Sequence, residues 1–361
     1  MLLRKLGETY REMPAFAPAL ADSRQFPQPS IRVAPSTASV RLGRPTSLAR
    51  KAASVMRVDH ARTGLYLIAR LLAPGRVWVP AYHCPAMVEP FIAAGCEVAF
   101  YPIGPNLEPD QDFIARMVLA REALVGVRFF GFDTGIRQLA DLCASKEVLL
   151  IEDLAHAAYF DELLGGFGVT SLGKFLPVAA GGELLVPENS EHLPTMNRLY
   201  GDLPSVSRVR AKAAMRKLLR FLRLSETKIM DHRYFQADQI YQGFEPSNDA
   251  IVKHTNHWVS SQRRKDNYRY LAQALSRCAN GAVMFPCLPD HVVPYVLPFL
   301  LNDDEVFGDV RRAGIQALRW EEMVATECDV SAVFRARLIQ LPIHQDLARH
   351  QLDLVASALA N

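Results

Sequence analysis

Short runs that are apolar on both faces, separated by helical stretches, constrain this chain more than any other feature. Val77-Trp78-Val79, Ala123-Leu124-Val125-Gly126-Val127 and Val148-Leu149-Leu150-Ile151 leave no polar face for water. Strands of that kind belong to a mainly parallel sheet covered by helices on both sides, an α/β architecture. The intervening pattern agrees. Asp59 is placed to cap a helix running through Leu65 to Leu72, and Pro74-Gly75 ends it. A strand follows over 76–80, a helix over 85–94 ending at Gly95, and a strand over 96–101. Further along come a strand over 123–130 ending at Gly131, a helix over 138–145, and the run 148–151 closing on Glu152-Asp153. Residues 181–186 read as one more strand. In such sheets ligands gather at the carboxyl ends of the strands, which singles out Gly131, Asp153 and the turn 80–85.

The texture changes after about residue 235 to α+β. A charged helix is expected over 262–276, one or more strands within 292–301, a helix near 306–317, a strand over 338–341 and a last helix over 346–360. The first forty-odd residues carry Pro14, Pro18, Pro27, Pro29, Pro35 and Pro45 and read as an arm, with Pro45-Thr46-Ser47 starting a short helix. The expected division is an arm over 1–45, a large α/β domain over 46–234 and a smaller α+β domain over 235–361. A chain of 361 residues and 40.3 kDa has room for this.

Composition narrows the class of function. With 50% hydrophobic and 22% charged residues the chain is neither disordered nor collagen-like. A net charge of +3 argues against a nucleic-acid binder. Basic residues nevertheless cluster in two places. Residues 1–57 hold ten Lys and Arg, and 208–228 hold eight. Within the second cluster, Lys212, Arg216, Arg220 and Arg223 share one face of an amphipathic helix. The six cysteines show no zinc-type spacing and read as free thiols in a reducing, cytoplasmic setting. Residues 1–8 lack the apolar core of a secretory leader. The apolar run 292–301 contains Pro294 and Pro298 and is too short to span a bilayer.

The chemistry concentrates in Ile151-Glu152-Asp153-Leu154-Ala155-His156, Ser171-Leu172-Gly173-Lys174 and Gly181-Gly182. Asp153 and His156 stand at a strand's carboxyl end, and Lys174 precedes an apolar strand. Desolvation of an amine there makes it a nucleophile. A lysine with an acidic partner is what pyridoxal phosphate requires: the amine forms a Schiff base, and the carboxylate keeps the pyridine nitrogen protonated. Taken singly each residue also has a plainer reading, with Asp153 capping a turn, His156 a satisfied core histidine and Lys174 a surface lysine. His60-Ala61-Arg62-Thr63-Gly64 at a helix start offers unpaired N–H groups to a phosphate, or ordinary capping by Asp59. Tyr82-His83-Cys84-Pro85 is an aromatic turn suited to packing or to stacking on a flat cofactor.

In order and separation these segments resemble the DegT/DnrJ/StrS family of pyridoxal-phosphate-dependent enzymes, chiefly sugar aminotransferases. So do Arg128-Phe129-Phe130-Gly131, Arg263-Arg264-Lys265-Asp266-Asn267-Tyr268, Gly314-Ile315 with Trp320, and Leu341-Pro342-Ile343-His344. The resemblance covers most of the chain. It implies the type I fold of pyridoxal-phosphate-dependent transferases and a homodimer with sites at the subunit interface. Lys174 matches the Schiff-base lysine, Asp153 the acid paired with the pyridine nitrogen, and His156 the contact to the ring's phenolic oxygen. Arg62 and Thr63 stand where backbone amides hold the phosphate, Ser171 adds a hydroxyl, and Tyr82, His83 or Cys84 lies where an aromatic ring covers the cofactor. The resemblance implies transfer of an amino group from an amino-acid donor such as glutamate to a nucleotide-linked keto-sugar; of the two basic segments 208–228 is the better candidate for its diphosphate, a solvated helix face being the plainer reading.

Four departures stand out. The ring position is Cys84, His60-Ala61 replaces a small Ser-Gly pair, and Gly173 stands before the lysine where a polar residue is frequent. The partner-contributed Asn-x-Arg stretch has no counterpart after Gly182. These leave a non-catalytic homologue, serving as a binding or scaffold subunit in polysaccharide or secondary-metabolite biosynthesis, as the alternative.

Overall fold

The computed structural model describes residues 5–35, 48, 53–209 and 234–360. The helix start at Pro45-Thr46-Ser47 and nearly all of the basic stretch 208–228 lie outside the described residues. Among the described residues the strands form two sheets. The larger has seven strands in the order β1(Ala53–Val58), β7(Gly182–Pro187), β6(Phe167–Ser171), β5(Leu149–Leu154), β4(Ala123–Val127), β2(Arg76–Pro80), β3(Glu97–Tyr101). From β6 to β3 every pairing is parallel, whereas β7 runs antiparallel to both β6 and β1. All five residues of β4 and four of five in β2 are buried, as strands covered on both faces must be.

Helices α1(Ala61–Leu72), α2(Pro85–Ala94), α3(Gln111–Met117), α4(Ile136–Ser145) and α5(Leu193–Gly201) accompany this sheet. Local chemistry sets their limits. Pro85 stands in the first turn of α2, and Gly95 ends it in the left-handed region at φ 90°. Helix α1 seats on β6 and β7. At Gly64 a β-carbon would come 2.9 Å from Val169 Cγ1, so the bare backbone lets the helix lie close.

The smaller sheet is antiparallel, in the order β10(Leu338–Leu341), β9(Leu297–Leu301), β8(Gly281–Val283). The helix His257–Ala274 packs on β9 and on the last helix, Arg349–Ala360. Its N-terminus is capped by Asn256, whose side chain accepts the Val259 N–H at 3.0 Å. The arm over 5–35 crosses both regions. Tyr10 pairs with Val98 of β3, Phe16 with Val324, and Ile31 with Ile315.

Three local expectations are corrected. The fourth strand ends at Val127 because Phe130 adopts φ 58° inside a 3-10 turn over Phe129–Gly131. Asp59 does not cap α1: its carboxylate is taken by Thr63 Oγ1 at 2.6 Å and His60 Nδ1 at 3.0 Å. The strand expected within 292–301 is Leu297–Leu301, and the approach to it is irregular and buried. Strands β1 and β6, not expected from the pattern, flank β7. No described helix is long and apolar enough to cross a membrane.

Candidate active site

The carboxyl ends of β4, β5 and β6 open on a cavity of about 170 Å³. The register of the sheet sets Asp153 beside Val127 of β4 and Val169 of β6. Asp153 lines the cavity, and its Oδ1 accepts the Ala155 N–H at 2.8 Å. Desolvation raises its pKa, while the Lys174 charge and the Ala155 N–H pull the other way. Lys174 ends the 3-10 turn Leu172–Lys174 that follows β6 and lines the same cavity. Its Nζ lies 5.4 Å from the centre of the Tyr295 ring. Desolvation lowers the Lys174 pKa, opposed by Asp153 and Cys84, so the free amine is favoured over that of an ordinary lysine.

His156 completes this wall. Its ring stacks on Tyr295 at 4.7 Å and on Phe130 at 5.5 Å. Its Nδ1 accepts the Phe130 N–H at 3.3 Å, so the neutral ring carries its proton on Nε2. Burial, then the Lys174 charge, pushes its pKa well below the usual histidine range. The left-handed kink at Phe130 thus turns that N–H toward the imidazole.

The start of α1 borders the same cavity. His60, Ala61 and Arg62 line it, and His60 makes no side-chain capping bond. The first amides of α1 therefore lack a side-chain acceptor, and the positive end of the helix faces the same space. Gly182 makes this possible. A β-carbon there would come 2.3 Å from His60 C and 2.5 Å from Ala61 N, so only glycine lets β7 pass so close to the helix start. Ser171, opposite Gly182 in the β6–β7 register, also lines the cavity.

Not every candidate reaches this space. Thr63 is wholly buried, and its hydroxyl donates to Asp59. Tyr82 and His83 are fully buried and do not line the cavity, which corrects the expectation that one of them supplies a covering ring. Tyr82 packs on Trp320 at 4.7 Å and on Phe334 at 5.7 Å. His83 is consumed by backbone: Nδ1 faces the Pro80 and Ala81 carbonyls, and Nε2 accepts the Val324 N–H at 3.1 Å. Desolvation drops its pKa to about 4. Cys84 does line the cavity, with a thiol pushed upward by burial. The aromatic surface comes instead from His156 and from Trp320, which reaches the cavity from the C-terminal third. Tyr295 was not singled out from sequence; nothing local in Pro294-Tyr295-Val296 marks it.

No protein-family model matches the chain, and no curated protein matches it. Solved structures do. The aminotransferase TlmJ from Streptoalloteichus hindustanus is 19% identical over 96% of this chain and 98% of its own, with a TM-score of 0.66. The sugar aminotransferase CalS13 from Micromonospora echinospora is 17% identical over 97% and 99%, with a TM-score of 0.63. PseC from Helicobacter pylori, an aminotransferase involved in the biosynthesis of pseudoaminic acid, is 16% identical over 86% of each chain, with a TM-score of 0.64. The α/β fold with its mainly parallel sheet is therefore the fold of these aminotransferases.

Proposed function

We propose that the protein is a pyridoxal-phosphate-dependent aminotransferase acting on a keto-sugar. The observation that carries this reading is that Lys174 and Asp153, brought by neighbouring strand ends, line one cavity with a helix start that has no side-chain cap. The residues present fit the cofactor: an amine, a carboxylate, a hydroxyl and a helix start without a side-chain cap stand around one cavity. When bound, pyridoxal 5′-phosphate supplies an aldehyde for the amine and a ring that delocalises the electrons left by a departing proton.

The chain's own residues divide the remaining work. Lys174 attacks as the free amine that burial favours, then serves Nζ as general base and general acid for the donor's α-proton. Asp153 would pair with the ring nitrogen, and His156 would offer its Nε2 proton to the phenolic oxygen. The Arg62 amide and side chain and the Ser171 hydroxyl hold the phosphate, the Thr63 N–H being given to His60 O at 3.0 Å. Cys84 and Trp320 border the ring. Glutamate as donor, a nucleotide-linked keto-sugar as acceptor, a homodimer and the division at 45 and 234 complete the proposal. The six free cysteines suit a reducing compartment.

The test is direct. Purified protein given the cofactor becomes yellow, borohydride fixes the cofactor on Lys174, and glutamate bleaches the visible band. Lys174→Ala abolishes fixation and turnover while leaving the circular dichroism spectrum unchanged. A protein that stays colourless with added cofactor refutes the reading in favour of a non-catalytic homologue.

A further inference from the structure

Arg264 lies in the helix His257–Ala274, far from the cavity in sequence, and is fully buried, with the Asp346 charge acting on it. Its guanidinium collects acceptors from three segments. Nη2 donates to the carbonyls of Lys174 at 3.3 Å and Phe175 at 3.2 Å. Nη1 donates to Tyr295 O at 3.0 Å and Pro294 O at 3.4 Å, and Nε to Gln345 Oε1 at 2.8 Å. Gln345 in turn donates Nε2 to Phe175 O at 2.9 Å.

The turn needs this. The N–H groups of Phe175 and Leu176 both go to Leu172 O, and Pro177 has no N–H to offer. The carbonyls at its end therefore take their donors from elsewhere, as buried carbonyls must. A planar fork can serve both sides of the gap at once; a single ammonium cannot.

We propose that Arg264 is a positioning residue that locks the Lys174 turn to the Tyr295 segment and so fixes where the Lys174 amine sits in the cavity. The inference rests on Lys174 being the reactive amine, and it gives a role to the Arg263–Tyr268 stretch. The same helix holds the 343–345 turn through Asn267, which donates to the carbonyls of Ile343 and His344. The charged and titratable groups around the amine are Asp153, Cys84, His156 and Tyr295, with His60 and Arg62 lining the same cavity; Arg264 itself faces Tyr159, Tyr295, Asp346 and His344.

The experiment is reductive methylation of the full chain with formaldehyde and cyanoborohydride across pH. Lys174 and the exposed lysines are quantified by peptide mass spectrometry, in parallel with borohydride fixation of pyridoxal 5′-phosphate. In Arg264→Met the turn loosens and the amine meets water. Its pH midpoint then rises toward that of an ordinary lysine. Modification of Lys174 at pH 7 and cofactor fixation both fall about tenfold, with the exposed lysines unchanged. Arg264→Lys and Gln345→Leu give smaller shifts of the same sign and decide the matter if Arg264→Met fails to fold. Folded variants whose Lys174 rate and midpoint stay within twofold of wild type overturn the proposal. Methylation needs no cofactor. A wild-type protein that never fixes pyridoxal phosphate therefore sinks the function reading alone, and unchanged variants of a protein that does fix it sink the Arg264 role alone.

Discussion

Replacing Gly182 by alanine puts a methyl group into the backbone of the α1 start. The new carbon would stand 2.3, 2.5 and 2.7 Å from His60 C, Ala61 N and His60 O. None of these atoms can rotate away, so strand and helix must part by about 1 Å to restore ordinary contact. Overpacking of this kind costs ~1–3 kcal/mol, and a clash with backbone belongs at the upper end. At ~2.1 cal/mol/K per residue, 3 kcal/mol in a chain of 361 residues lowers Tm by about 4 °C. The functional cost is larger in proportion. If the α1 start holds the phosphate as proposed, moving its amides forfeits roughly 1.5–3 kcal/mol of charge-assisted hydrogen bonding, a loss of about 10- to 100-fold in affinity. Gly201 is the control, since it ends α5 with nothing within 4 Å of an added carbon. Its alanine variant should match or slightly exceed wild-type stability. Calorimetry reads the first effect, and titration of the visible cofactor band reads the second. A Gly182→Ala protein that binds pyridoxal phosphate as tightly as wild type would show that the helix start is not the phosphate site.

Three other outcomes follow from the geometry. Glu152 is fully buried against Arg128 at 2.9 Å, so Arg128→Met strands a carboxylate and should cost about 3–5 kcal/mol, seen as a lower urea midpoint at constant m. Adding Glu152→Leu to that variant should recover much of the loss. His83 holds its pKa near 4 against about 6.5 when unfolded. Between those values the unfolded chain binds a proton that the folded chain refuses, so stability falls with pH by up to about 3 kcal/mol. His83→Gln, which cannot titrate, should flatten the difference between urea midpoints at pH 7 and pH 4.5.

Much of the large sheet was legible because its signal is local. Fully apolar runs such as 123–127, and punctuation such as Pro85 and Gly95, need no knowledge of the rest of the chain. The missed strands explain themselves in the same terms. In β6, Gly168 breaks the apolar run, and in β1 the exposed Val55 and the polar Ser54 and Arg57 hide the period. Asp59 as a cap failed because Thr63 competes for the same carboxylate, which only folding reveals. In the site, Asp153, His156, Ser171, Lys174 and Arg62 could be named because each sits beside a strand end or helix start. Trp320, Tyr295 and Arg264 converge on them from the last third, and nothing in their own neighbourhoods says where they arrive. Tyr82 and His83 show the converse: a turn with the right residue types points them into the core.

The N-terminal arm has a consequence outside catalysis. Strand β3 forms one border of the large sheet, and there Gly7 donates to Phe100 O while Tyr10 and Val98 exchange both of their backbone bonds. A bare border of this kind is a template on which a second chain can grow. By occupying it with its own first residues and then tying them to 314–324, the molecule closes that border against templated self-association.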